Sequence, residues 1–255
     1  MENLRKDAEL RVLTDRQVSV AWILLPILAV IIALVTVVLA FSVFFAALSS
    51  GFLVAPSEAA APAFGAGIGS LFLIPLVADI LFLYFFYLLI RRRNQHFSRQ
   101  QRFVSDFILV LREVATKKAV SIDALLGSME SSNRQSQAEE TEKSAVLWVV
   151  LLLIPFVNII AFLYILYFLT GDYYKHERRE DGMLSDTERA LSSMGVQFIF
   201  HRNDSVPHRS FVLYLIVTII TFGIFGLYWE YTLIKDPNNH FVNHATFEGT
   251  VVQLV

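Results

Sequence analysis

The sequence predicts an all-α integral membrane protein, with about four transmembrane helices, amphipathic or cytoplasmic helices between them, and an internal repeat. Three observations carry that prediction. Of 255 residues, 55% are hydrophobic, 22 are Phe, and the mean hydropathy is +0.55, well above what a soluble domain needs. The apolar residues come in long blocks rather than in periodic stripes. One pattern, L-Y-x2-Y-x-L-x6-H, occurs three times. The net charge of -2 gives no field that would recruit nucleic acid. The lack of cysteine excludes a disulfide framework, a thiol nucleophile and Cys-ligated metal.

Residues 1–17 mix Arg5, Lys6, Arg11 and Arg16 with acids and a few apolar residues, which suits a short interfacial helix. Residues 18–90 read as a transmembrane hairpin. Its first arm, Val18 to about Ser49, is about twice the length of a signal-peptide core and reads as a retained anchor. A short outer loop follows at Gly51–Pro62, without Lys or Arg, and then a second arm from Ala63 to Ile90. Gly65 and Gly69 in that arm have the small-x3-small spacing that lets helices approach closely, or mark a flexible turn.

Residues 91–143 open on Arg91, Arg92 and Arg93 and hold ten Lys or Arg, a cytoplasmic signature that puts the N-terminus on the cytoplasmic side of the cell membrane. Phe103, Phe107, Leu111 and Val114 form an apolar stripe at helical spacing, fit for the inner interface or for packing on neighbours. Ser128–Lys143 is expected to be an exposed polar linker. Residues 144–170 form a third apolar block, and 171–210 a polar helical loop in which Ser185 and Glu188 suggest a capped helix start. Residues 211–234 form the fourth block, and 235–255 a tail.

The repeat aligns Tyr84, Tyr87 and His96 with Tyr164, Tyr167 and His176, and again with Tyr228, Tyr231 and His240. Two Tyr three apart share a helix face and suit the headgroup level, so the motif reads first as a membrane-exit anchor. The three His carry no metal-ligand spacing and lie in separate segments that need not converge, so no metal and no cofactor is expected. His201, His208 and His244 are expected to face solvent.

Four ordinary crossings would place 171–210, with its six basic residues, on the outer side. The alternative lets the third and fourth blocks dip in and return, broken at Pro155–Asn158 and Gly223–Gly226, with all 21 Lys and Arg on one side. Four crossings is preferred, because half-segments of about ten to twelve residues fall short of a span and broken backbone must be shielded from lipid. Gly223 and Gly226 are in either case the place for a helix break or close packing.

Asp79 and Asn158 lie at similar depth in the second and third blocks and form the candidate intramembrane polar pair, as helix glue or as an ion relay. Glu230 reads as an interfacial acid. No nucleophile elbow, phosphate loop or zincin helix is present, and no catalytic residue is assigned.

At T-F-G-I-F-G-L-Y-W-E-Y the chain resembles a prokaryotic family of multi-pass membrane proteins of unknown function with a T-x-G-I-Y/F-G-x-x-W-x-Y box. The resemblance rests on Thr221, Gly223, Ile224, Phe225, Gly226, Trp229 and Tyr231. It implies a helical membrane protein and no catalytic residues. The expected role is non-enzymatic and structural or membrane-organising, with the lipid bilayer and a protein partner or second copy as partners. The alternative is a small oligomeric transporter or channel using Asp79 and Asn158.

Overall fold

In the computed structural model, which describes residues 1–49 and 61–254, all regular structure is helical. The elements are α1 (Glu2–Thr14), a 3-10 turn (Val20–Ile23), α2 (Leu24–Ser49), α3 (Ala61–Lys117), α4 (Asp123–Glu139), α5 (Ala145–Leu151), α6 (Val157–Ser193), α7 (Phe211–Ile220) and α8 (Ile224–Leu254). The chain divides into two compact units, Met1–Val20 with Tyr87–Val255, and Ala21–Phe86.

The unit Ala21–Phe86 holds α2 and the first part of α3. No charged residue lies in α2, and Val30, Leu34, Val38, Phe41 and Phe45 are exposed along it. Val20–Ser49 is therefore one of two stretches among the described residues that are long and apolar enough to cross a membrane. Trp22 stacks on Phe85 with ring centroids 5.6 Å apart. The outer loop expected at Gly51–Pro62 falls largely outside the described residues. A Cβ added at Gly65 or Gly69 would meet nothing within 4 Å, so neither is a close-packing point among those residues.

In the other unit, the apolar stripe of α3 packs inward rather than on a membrane interface. Phe103, Phe107 and Leu111 are fully buried with Leu4, Leu126, Met129, Ala190, Leu191, Phe247 and Val251. That burial corrects three expectations. The N-terminal segment does not lie free at a surface, because α1 inserts Leu4 into this core and Arg11 Nη1 donates to Ala245 O at 3.0 Å. The expected polar linker is mostly the helix α4, whose inward face is Leu126, Met129 and Asn133, continued by Glu140 at its end. Spacings of three, four and seven define that face, and its polar members hide it from a hydropathy reading. Ser185 starts no helix; it lies inside the unbroken α6, and Glu188 instead accepts from Phe200 N at 3.0 Å.

The third and fourth apolar blocks each reverse midway. On α5, Trp148 stacks on Tyr164 at 4.6 Å, although a straight helix would separate residues sixteen apart by about 24 Å. On α7, Phe211 meets Trp229 at 5.7 Å, and the base of that hairpin is clamped by Arg209 Nε to Asp236 Oδ2 at 2.6 Å. Ser144 and Ser210 cap the outgoing helices by accepting from Leu147 N and Leu213 N. The turns use positive φ at Phe156 (65°), Phe222 (50°) and Gly223 (90°). A Cβ added at Gly226 would lie 3.6 Å from the Thr218 methyl, an ordinary van der Waals distance, and Gly223 lies between the end of α7 and the start of α8.

Pro237 lies inside α8 and cannot donate to Leu233 O one turn earlier. Arg92, which is buried, replaces the missing donor: its Nη2 reaches Leu233 O at 2.5 Å and its Nη1 reaches Asn238 Oδ1 at 3.0 Å. Trp229 Nε1 donates to Thr170 Oγ1 at 2.8 Å and ties α8 to α6.

A candidate metal centre

The three histidines of the repeated pattern come from separate segments that need not converge, and the structure brings them together. His96 on α3, His176 on α6 and His240 on α8 are all buried, with ring centroids 5.3 Å (96–176), 5.0 Å (96–240) and 5.3 Å (176–240) apart. His244, expected to face solvent, is buried with them one turn beyond His240, 4.4 Å from it between centroids. His201 and His208 are exposed as anticipated.

Each ring turns Nδ1 toward a carboxylate. His176 Nδ1 lies 2.9 Å from Glu140 Oε1, and His240 Nδ1 lies 2.9 Å from Glu177 Oε2. His96 Nδ1 is 3.1 Å from Asp15 Oδ1, at ion-pair distance but without the alignment of a full hydrogen bond. His244 Nδ1 is 3.5 Å from Glu248 Oε1, the loosest of the four. The Nε2 atoms face one another and a fifth acid. His176 Nε2 and His244 Nε2 stand 3.0 and 2.8 Å from Glu180 Oε1, and His96 Nε2 stands 3.1 Å from His240 Nε2.

Carboxylate behind imidazole is the arrangement that orients metal-ligating histidines, fixing the tautomer and raising ligand basicity. Arginines hold the carboxylates in turn. Arg99 reaches both Asp15 Oδ2 at 2.8 Å and Glu248 Oε1 at 2.7 Å. Arg202 reaches Glu180 Oε2 at 2.8 Å, and Arg179 pairs with Glu140. Gln100 Nε2 adds a bond to Glu180 Oε1 at 3.2 Å.

The electrostatics are those of a charge-balanced network, in which the acids favour the protonated form of His176 and His244 while burial favours the neutral form of His96 and His240. Burial works against ionisation of Glu140, yet His176, Ser136 and Arg179 hold its carboxyl down to about 2. Glu180 is likewise held well below the carboxylate range by His176 and His244 despite full burial. Burial pushes the His96 imidazole well below its ordinary value, against the pull of Asp15. Burial, with the neighbouring His244, pushes His240 down to about 4. His176 moves the other way: burial opposes, but Glu180 and Glu140 lift it to about 10.

One possible ligand atom from each of the four His can be chosen so that all four lie within 4.8 Å of one another. A tetrahedral ion with nitrogen at about 2.1 Å places its ligands about 3.4 Å apart, so the widest pair closes by up to about 1.4 Å on binding. The donors are nitrogen and carboxylate oxygen without sulfur, which suits zinc, iron, manganese, nickel or copper in divalent form. A cavity of about 20 Å3 beside Gln100, Asn133, Glu140, His176 and Glu180 has room for about one water.

The other predicted residues fall elsewhere. Asp79 and Asn158 are both exposed and belong to different units. Tyr84, Tyr164, Tyr167 and Tyr228 are exposed and Tyr87 and Tyr231 half-buried. Basic side chains lie over five of these rings at 5.7 to 6.0 Å, namely Arg91 over Tyr87, Lys143 over Tyr164, Lys175 over Tyr167, Arg209 over Tyr228 and Lys235 over Tyr231. Glu230 is half-buried, with one carboxylate oxygen lacking a hydrogen bond. The sequence reading missed His244 and every acid of the cage. The available signal was the four-residue spacing of His176 with Glu180, His240 with His244 and His244 with Glu248, which puts each pair on one helix face.

Residues 209–255, the second hairpin and the helix bearing His240 and His244, match a family model described as a domain of unknown function (DUF4234). Neither the curated proteins nor the solved structures contain a match.

Proposed function

We propose that this protein is a membrane-seated helical protein that holds a divalent first-row transition-metal ion in a buried cage of His96, His176, His240, His244 and Glu180. One observation carries the reading. Four buried imidazoles, each with a carboxylate behind it, offer ring nitrogens within 4.8 Å of one another, with His96 Nε2 and His240 Nε2 3.1 Å apart and Glu180 beside them. A divalent ion among these nitrogens takes a lone pair from each ring and offsets the charge of Glu180.

The closed cage, whose His and Glu ligands are all buried, argues for a structural ion rather than a catalytic one with an open position. That favours the non-enzymatic, membrane-organising role in the cell membrane, with a protein partner or second copy, over transport or catalysis. The repeat supports the same reading. Each of the three histidines follows the second Tyr of its copy by nine residues, about 13 Å of helix, so three copies of one unit deliver three ligands at one depth below the membrane exit.

The test is elemental analysis of the full chain purified from membranes in mild detergent. About one first-row metal per chain is expected in the native protein, with loss of that metal in a His96→Ala, His240→Ala double variant that still elutes as folded protein. Native protein that carries no such metal, and takes none up on dialysis against zinc, iron(II) or manganese(II), would refute the cage.

A further inference from the structure

We propose, independently of the metal, that the two helical hairpins formed by α5 with the start of α6 and by α7 with the start of α8 are half-depth insertions into one leaflet of the bilayer, not crossings. Length is the first argument. From Val157 to the residue before Asp172 there are fifteen uncharged residues, about 22 Å of helix, and α7 is ten residues or about 15 Å, against roughly 30 Å of hydrocarbon. α6 is long enough to cross only if its charged part, from Asp172 onward, is counted.

Composition gives the occupant. No Asp, Glu, Lys, Arg or His lies between Lys143 and Asp172, or between Arg209 and Glu230. The tips present their largest apolar groups outward, Phe156 at 87% and Phe222 at 97% exposure, with Ile160, Ile219, Ile220 and Ile224 exposed beside them. The ends opposite the tips carry basic residues over tyrosines: Lys143 over Tyr164 at 5.7 Å, Arg209 over Tyr228 at 5.9 Å, and Lys235 over Tyr231 at 5.9 Å. An apolar tip above an aromatic and basic belt is the chemistry of a hydrocarbon interior below a headgroup layer.

The objection to such a dip is the broken backbone, whose polar groups lipid cannot satisfy. Here the turns satisfy many of their own donors. Leu153 N and Ile154 N reach Val150 O and Leu151 O, and Asn158 N reaches Ile154 O. In the second hairpin, Phe222 N, Gly223 N and Ile224 N reach Ile219 O, Thr218 O and Thr221 O, and Phe225 N is taken by Thr221 Oγ1 at 3.0 Å. The consequence is topological. Residues 1–17, 91–143, 171–209 and 235–254 share one side, and the third and fourth blocks leave the outer leaflet untouched.

The protein has no cysteine, so single substitutions report cleanly. Ser131→Cys and Ser192→Cys, both exposed, are reacted with an impermeant maleimide in sealed vesicles of each orientation. Labelling from the same side is expected, and labelling from opposite sides would overturn the proposal. Phe156→Cys and Phe222→Cys carrying a fluorophore are then read against lipids brominated at different depths. Quenching strongest for bromines deep in the acyl chain is expected. Probes unquenched by lipid would show that protein covers the tips and would equally overturn it.

Discussion

Replacing Glu177 by Gln tests the cage without removing a ligand. Glu177 is buried, accepts from Val206 N at 2.9 Å and faces His240 Nδ1 at 2.9 Å, so Gln preserves shape and a hydrogen bond while withdrawing the charge that sets the ring's basicity. At a free metal concentration a hundredfold above Kd, binding to the folded state stabilises it by about 2.7 kcal/mol. Loss of an oriented carboxylate behind a ligand lowers affinity about 10- to 100-fold, which leaves about 0.4 to 1.4 kcal/mol at the same concentration. For a chain of this size that means a metal-induced rise in Tm of about 5 to 10 °C in the native protein and about 1 to 5 °C in the variant. Each protein is compared with its own metal-free melt in detergent, so the intrinsic cost of the substitution drops out. Equal metal-induced shifts in the two proteins would refute the role of Glu177 behind His240, and no shift in either would refute the ion.

Four other perturbations have defined outcomes. Arg92→Met strands Leu233 O, which Pro237 leaves without a helical donor, and is expected to cost about 1–3 kcal/mol by thermal melting; Pro237→Ala in the same chain restores the donor and recovers part of the loss. Gly223→Ala places a Cβ at φ 90° and is expected to destabilise the second hairpin by about 1–2 kcal/mol, whereas Gly249→Ala, inside α8 at ordinary φ, is expected to be neutral or stabilising by the same assay. Arg99→Met leaves Asp15 and Glu248 buried without their shared partner, and a loss of about 3–5 kcal/mol is expected, larger than for either acid neutralised together with it. Burial, opposed by Arg102 and reinforced by Asp106, raises the carboxyl of Asp7 above its unfolded value, so its ionisation weakens the fold as pH rises through the folded pKa. Asp7→Asn is therefore expected to raise Tm at pH 7 and to leave it unchanged at about pH 3, below both values.

What was legible in the sequence followed from residue type and period. Uncharged blocks announce apolar helices because charge in hydrocarbon is costly, and the stripe Phe103, Phe107, Leu111 announces a packed face because its spacing is helical. The spacing from Tyr to His was equally visible, and so was Gly223 as a break. The reversal of the third and fourth blocks was legible only as the less favoured alternative, broken at Pro155–Asn158 and Gly223–Gly226, because hydropathy sums composition and is indifferent to direction. Two of the turning residues, Phe156 and Phe222, adopt positive φ that bulky side chains rarely take, so no turn residue marks them. The helix α4 was hidden by the polar members of its inward face, and the cage by the usual rule that acids and arginines face water.

That rule fails here for a reason the network itself supplies. Burying Asp15, Arg99, Glu177, Glu180 and Glu248 is costly unless each is paired, and every one of them is. Arg99 alone joins Asp15, just past the end of α1, to Glu248 on α8 from its own place on α3, so three elements distant in sequence are tied through one guanidinium. An apolar side chain at the same place would pack as well and cost less, but it would not orient Asp15 and Glu248 toward the imidazoles of His96 and His244. The arginines make sense as supports of the carboxylates, and the carboxylates as supports of the imidazoles. The chain of supports ends at imidazole nitrogens gathered within 4.8 Å of one another, an arrangement that the proposed ion would explain and that a packed core does not require.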